Sequence, residues 1–140
     1  MLDNLEKLET LSLRRNRLTQ IGNHGVFTAT HSTLKSLDLS ENKLENLGQF
    51  AFKYLSGLIE LNLSHNLLSG EHSSLGVSLF IEKQRLEKLN MSFNHLDKLK
   101  FAMLYRKTAL IELDVSHNNI TEIESSSTSA WQDVRNLKIL

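Results

Sequence analysis

Leucines recur along this chain at a fixed spacing. Aligned on its asparagines, the sequence contains five copies of the pattern L-x-x-L-x-L-x-x-N-x-L, which run from Leu8 to Leu18, Leu34 to Leu44, Leu58 to Leu68, Leu86 to Leu96 and Leu110 to Ile120. Of the 25 positions that the pattern defines, 22 hold the motif residue and the other three hold apolar residues of similar size. Because the copies begin 24 to 28 residues apart, the pattern indicates a repeat architecture.

The central L-x-L of each copy has the two-residue period of a β-strand. Leu11 and Leu13, and their equivalents, are therefore predicted to face the same buried side. A single unit cannot bury these leucines alone, so neighbouring units must stack, with their strands parallel. This predicts an α/β repeat, a solenoid shaped as a horseshoe arc. A short parallel β-sheet would line its concave face, and loops or short helical turns would form its convex face.

Each copy also places an asparagine where the chain leaves the strand. These residues are Asn16, Asn42, Asn66, Asn94 and Asn118. A carboxamide offers two donors and an acceptor, and the backbone groups at such a turn would otherwise be buried without partners. We interpret the asparagines as an internal ladder that stabilises the stacked turns.

The second half of each copy repeats as well and is predicted to form the convex side. A large residue recurs there as Phe27, Phe52, Phe80, Leu104 and Trp131. The serine run at 125–129 interrupts the period and is interpreted as a loop insertion. We expect residues 1–140 to form a single array, uncapped, with partial repeats at both ends and five full repeats that start at Leu8, Leu34, Leu58, Leu86 and Leu110.

This pattern resembles the typical 24-residue class of leucine-rich repeat proteins, found in the ectodomains of the Toll family and of leucine-rich cell-adhesion proteins. The resemblance covers essentially the whole chain. It implies a protein-recognition module within an extracellular receptor ectodomain, with Toll-like innate immune recognition preferred. The alternatives are a cell-adhesion leucine-rich repeat protein and an intracellular leucine-rich repeat scaffold without direct ligand contact.

The resemblance also sets expectations for partners and location. A protein ligand or a co-receptor is the expected partner, and a homodimer through the full-length ectodomain is a further option. The expected location is extracellular or at the cell surface, as part of a larger membrane protein, and the alternative is cytoplasmic. In this family the concave strand face is the usual place for contacts, so the variable strand positions are the informative ones.

Three rows of variable positions contain the candidate ligand-binding residues, which are His65, Phe93, His117, Glu60, Lys88, Glu112, Asp38 and Asp114. The first row lies just before the second leucine of each motif and includes Glu60, Lys88 and Glu112. Lys88 therefore lies between two carboxylates, and the simpler interpretation is a surface ion-pair ladder. The second row, with Asp38 and Asp114, is polar and repetitive and fits a role in the scaffold.

The third row is Arg15, Glu41, His65, Phe93 and His117. An aromatic ring between two imidazoles is a candidate contact patch, because an aromatic anchor supplies apolar area and histidines supply adjustable hydrogen bonds. Two imidazoles also raise the hypothesis of pH sensing. The alternative is that Phe93 only folds over the edge of the strand layer.

Composition narrows the chemistry further. The 140 residues carry 16 basic and 16 acidic side chains, and no block of like charges is present, so we expect no nucleic-acid partner. No apolar run reaches about 18 residues, so direct membrane insertion of this segment is not expected. The chain has no cysteine, no glycine-rich phosphate loop and no evident nucleophile, so neither catalysis nor a cofactor is expected. A metal site is not expected either, because Phe93 separates His65 from His117.

Three triplets match the acceptor motif for N-linked glycans, at Asn62, Asn90 and Asn119. With 12 asparagines and 24 serines plus threonines, about two such triplets are expected by chance, so their number decides little. Glycans on Asn62 and Asn90 would cover the middle of the concave face and move binding to an edge or to the convex side.

Overall fold

The repeated L-x-L segments form one parallel β-sheet. The computed structural model describes residues 7–22, 27–28, 31–48, 50–69, 85–100, 109–124 and 137–140. The strands in these ranges are β1 (Thr10–Ser12), β2 (Gln20–Ile21), β3 (Ser36–Asp38), β4 (Asn46–Leu47), β5 (Glu60–Asn62), β6 (Lys88–Asn90), β7 (Lys98–Lys100), β8 (Glu112–Asp114), β9 (Glu122–Glu124) and β10 (Lys138–Ile139). The main sheet has six strands in the order β1-β3-β5-β6-β8-β10.

Each strand of the main sheet pairs with the next repeat without any offset. Leu37 of β3 pairs with Leu61 of β5, and Leu89 of β6 pairs with Leu113 of β8. Because every pair is parallel and in register, equivalent positions of the repeats form straight rows across the sheet. This confirms the parallel stacking predicted from the leucine spacing.

Shorter parallel ladders follow the turn at each asparagine. Strands β2 and β4 form one two-stranded sheet, and β7 and β9 form another. Between them, Ser69 and His95 form an isolated parallel bridge. The second and third repeats are joined after the turn by the bond from the Leu67 N–H to the Leu44 carbonyl, at 2.9 Å. Neighbours among the five full repeats are therefore bonded twice, once before and once after the turn.

The motif leucines form the core between these layers. Leu39, Leu63 and Met91 are fully buried at equivalent positions of three repeats. On the convex side, Phe27 and Phe52 are also buried, with ring centroids 6.3 Å apart. In the described part of this side, residues 50–54 and 56–57 form turns, as predicted. The other predicted convex residues, Phe80, Leu104 and Trp131, and the serine run at 125–129 lie outside the described residues.

The asparagines join each turn to the repeat before it. Asn66 is buried, and its Nδ2 donates to the carbonyls of Leu63 and Ser64, at 3.0 and 3.2 Å, and to that of Leu39 in the preceding repeat, at 3.1 Å. Its Oδ1 accepts from the backbone N–H of Leu44, also in the preceding repeat. Asn42, Asn94 and Asn118 make the equivalent bonds. These bonds supply partners to backbone groups in the interior.

We predict that Asn66→Ala lowers the free energy of unfolding by about 1–3 kcal/mol, because it leaves buried backbone groups without partners. Asn16→Ala is the matched control, since Asn16 is exposed and bonds within its own repeat, to the carbonyls of Leu13 and Arg14. We expect a smaller loss for this variant in urea unfolding. Equal losses for the two variants would contradict a ladder that acts between repeats.

Candidate functional site

The third predicted row lies at the corner where the chain leaves the main sheet. We call Arg15, Glu41, His65, Phe93 and His117 the rim row. All five residues have a left-handed backbone, with φ between 53° and 57°. The backbone N–H of each of the first four donates to the carbonyl of a serine in the following repeat, at 3.0 to 3.1 Å. The corner therefore has one conformation in every repeat, and the row's side chains leave the backbone in the same way.

Three rings stack along this row. The ring centroids of His65 and Phe93 are 4.2 Å apart with an interplanar angle of 9°, and those of Phe93 and His117 are 4.0 Å apart with an angle of 14°. The stack is on the surface, since Phe93 is 43% exposed. Aromatic pairs of this kind contribute about 0.5–1.5 kcal/mol beyond area burial. The ring of Phe93 is thus fixed in position while its edge faces solvent.

The other end of the rim row is charged. Glu41 accepts hydrogen bonds from the guanidinium groups of both Arg14 and Arg15, and the Arg15 Nε lies 2.6 Å from Glu41 Oε2. The bond from Arg15, followed by that from Arg14, lowers the pKa of Glu41 from 4.5 to about 2. The carboxylate therefore stays ionised well below the usual range for glutamate.

The exposed face of the main sheet forms a shallow basin of about 300 Å³. Its polar lining includes Asp38, Glu60, Asn62, Lys88, Asn90 and Glu112. Lys88 Nζ lies 3.1 Å from Glu60 Oε1, and this hydrogen bond raises the pKa of Lys88. Glu112 lies on the next strand, opposite Lys88. The structure thus brings the three charged residues of the first predicted row together.

Sequence reasoning missed one member of this row. Lys138 of β10 pairs in register with Glu112, so the row continues as carboxylate, ammonium, carboxylate, ammonium across four strands. The partial sixth copy of the motif, Leu137-Lys138-Ile139-Leu140, contained the signal that would have located it.

Asp38 and Asp114 are not brought together, because β5 and β6 separate their strands. Each carboxylate is occupied locally. Oδ1 of Asp38 accepts from both the backbone N–H and the hydroxyl of Ser40, and Oδ1 of Asp114 does the same with Ser116. Asn62 and Asn90 make the same pair of bonds with the serines two residues later. These four side chains therefore shape the end of each strand in addition to lining the surface.

Within the described ranges, no group of three or more histidine, cysteine, aspartate or glutamate side chains is arranged to hold a metal ion. In the same part of the chain, no helix has the length and apolar character needed to cross a membrane.

Two family models match the chain. Both describe a leucine-rich repeat, one over residues 32–78 and the other over residues 109–131. The chain belongs to the leucine-rich repeat proteins. As such, it has the rim row and the basin on the strand side of a leucine-rich repeat solenoid, and the predicted fold class is confirmed.

The curated relatives of this leucine-rich repeat chain are longer proteins. It is 35% identical over 116 residues to the transforming growth factor beta activator LRRC33 of Danio rerio. This alignment covers 83% of the chain and 16% of that protein. It is 27% identical to the human Toll-like receptor 6 over an alignment 153 residues long, which covers 96% of the chain and 19% of the receptor. The chain thus spans less than a fifth of the length of these two relatives.

Solved structures share the fold of this leucine-rich repeat chain. A complex of Toll with Spatzle from Drosophila matches with a TM-score of 0.77 and 20% identity, over 99% of the chain and 20% of that chain. A complex of TLR13 with the single-stranded RNA ssRNA13 matches with a TM-score of 0.67 and 24% identity, over 99% of this chain and 22% of the TLR13 chain.

The charged end of the rim row generates a pH prediction. Because the pKa of Glu41 is lowered from 4.5 to about 2, its ion pairs are intact above about pH 4.5 and are lost as the pH falls toward 2. In a carbon-13 NMR titration we expect the Glu41 carboxyl to have a midpoint near pH 2. Arg15→Gln should raise this midpoint more than Arg14→Gln, because the bond from Arg15 is the larger cause. A midpoint near 4.5 in the unmodified chain would contradict the pairing.

Proposed function

We propose that this chain is a protein-recognition module, a segment of an extracellular leucine-rich repeat receptor ectodomain with Toll-like innate immune recognition as its role. The observation that carries the proposal is the stack of His65, Phe93 and His117. An exposed phenylalanine held between two rings is an apolar anchor that is fixed before a partner arrives. Relatives named as Toll-like receptors support the role.

Binding would work by preorganisation. The corner conformation and the stack already restrict the side chain of Phe93, so a partner that covers it loses little conformational freedom. The basin beside the rim row supplies alternating charges at Glu60, Lys88 and Glu112, which select partners by complementary charge. The apolar anchor would supply affinity, and the charged row would supply specificity.

A protein partner fits this surface better than a nucleic acid does. Bases stack on the faces of aromatic rings, and both faces of Phe93 are covered by the imidazoles. The sheet face also has more carboxylates than ammonium groups, which disfavours a phosphate backbone. The TLR13 complex contains RNA, so the expectation that this chain binds no nucleic acid stays a prediction.

The proposal includes an extracellular or cell-surface location, a protein ligand or co-receptor as the partner, and no catalysis. A homodimer through the full-length ectodomain is compatible with it. Two alternatives use the same scaffold differently. A cell-adhesion protein would bind another cell-surface protein through the same rim row, whereas an intracellular scaffold would use the repeats only as spacers and would leave Phe93 uncovered.

The test uses the 140-residue chain and its Phe93→Ala variant on an array of purified secreted and cell-surface proteins. We expect the variant to bind the same protein at least tenfold more weakly, a loss of about 1.4 kcal/mol or more. We expect its free energy of unfolding to fall by no more than about 1–3 kcal/mol, because the substitution removes two ring stacks of about 0.5–1.5 kcal/mol each but no core residue.

Leu67→Ala is the matched control, because Leu67 is an exposed apolar residue outside the rim row. This variant should bind like the unmodified chain. Equal binding by Phe93→Ala and the unmodified chain would contradict a contact at the rim row. A large loss of stability in Phe93→Ala would show that Phe93 belongs to the core. An array on which the unmodified chain binds nothing would contradict recognition itself.

A further inference from the structure

The three glycan acceptor motifs have different environments in the structure. In Asn119-Ile120-Thr121, the asparagine and the threonine are exposed while Ile120 packs against the core. The backbone N–H of Asn119 donates to the carbonyl of Leu96, and that of Thr121 donates to the carbonyl of Asp97, both at 2.9 Å. The backbone of this motif is therefore held by the preceding repeat, and the carboxamide of Asn119 is on the surface. The hydroxyl of Thr121, also exposed, donates to the carbonyl of Asp97 at 3.4 Å and not to Asn119.

The motif at Asn62 has the opposite arrangement. Ser64 is buried, and its hydroxyl donates to Oδ1 of Asn62 at 2.8 Å. The backbone N–H of Ser64 donates to the same oxygen at 3.0 Å. Asn90 and Ser92 repeat this geometry, with bonds of 2.9 and 2.8 Å. In both motifs the carboxamide is already bound to the residue that completes the motif.

The repeat itself explains why these two motifs exist. At the same position the neighbouring repeats have Asp38 with Ser40 and Asp114 with Ser116, and their carboxylates make the same pair of bonds. Asparagine and aspartate are thus interchangeable there as acceptors for the serine. The sequences Asn-x-Ser at 62–64 and 90–92 follow from strand-end geometry, without reference to carbohydrate.

No such requirement applies at Asn119. The equivalent positions of the other repeats are all exposed and hold unrelated residue types, namely Arg17, Lys43, Leu67 and His95. The fold therefore has no need for an asparagine at this position.

The spacing of the strands also disfavours glycans on Asn62 and Asn90. Asn62 and Asn90 are register partners on adjacent strands, which lie about 4.8 Å apart, so carbohydrate could not leave from both. Both also line the basin, where an attached sugar would displace the charged row. Asn119 is two residues beyond His117, past the corner, where the chain has already left the main sheet.

We propose that Asn119 is the N-glycosylation site of this chain and that Asn62 and Asn90 stay unmodified. The carbohydrate borders the rim row at its His117 end and leaves the basin uncovered, so a partner approaches from the side of the sheet. The inference rests on the proposed function, because only a chain that enters the secretory pathway receives N-linked glycans.

The test directs the 140-residue chain into the secretory pathway of mammalian cells with a cleavable signal peptide, and measures the occupancy of each motif by glycopeptide mass spectrometry. We expect one glycan, at Asn119. Asn119→Gln and Thr121→Ala should each remove it, while the double variant Asn62→Asp/Asn90→Asp should keep it. The double variant is the matched control, since aspartate preserves the bonds to the serines as Asp38 and Asp114 do.

Carbohydrate on Asn62 or Asn90 of the secreted chain would overturn the inference, and so would an unmodified Asn119. The unmodified chain alone decides these outcomes, so a variant that fails to fold does not prevent the decision. Because the signal peptide imposes the pathway, the result is independent of the native location. The array experiment above tests recognition separately, so failure of either proposal can be told from failure of the other.

Discussion

The structure depends on how backbone groups at the turn of each repeat find partners inside a stack of parallel strands. In the second to fifth full repeats one asparagine meets this need by donating to carbonyls of its own and the preceding repeat and by accepting an N–H from the preceding one. The corner is thereby fixed relative to its neighbour. The left-handed residue just before each asparagine has the same backbone geometry in all five repeats, and from Arg15 to Phe93 its N–H donates to a serine carbonyl of the following repeat. The rows of the surface are therefore equally regular.

In this scaffold, one set of side chains stabilises the fold and another set forms the candidate binding surface. Apolar side chains and asparagines fill the interior, and the variable side chains of the rim row and the basin contribute little to the core. A chain with equal numbers of acidic and basic residues can therefore carry a locally ordered charge row and an aromatic stack next to each other. Such a surface gains binding strength from side chains that are already in place, which is the basis of the recognition role proposed here.

Much of the fold could be predicted from the sequence, because leucine spacing alone determines strand position, register and the direction of Leu11 and Leu13. The row of His65, Phe93 and His117 could be predicted for the same reason. The stacking of the three rings could not, since side-chain torsions depend on contacts made only after the strands align. The positive φ at the corner and the pairing of Glu41 with two arginines have the same origin, because they arise from folding rather than from a local sequence signal.

The common corner conformation has a consequence for how the rim row can be changed. Every member occupies the same backbone geometry, and successive ring centroids in the stack are 4.0 and 4.2 Å apart. The five positions of the rim row are therefore equivalent in backbone geometry. Only the identity and order of their side chains give this surface its properties. Exchanging the rim-row residues of two repeats would change the binding surface without changing the backbone.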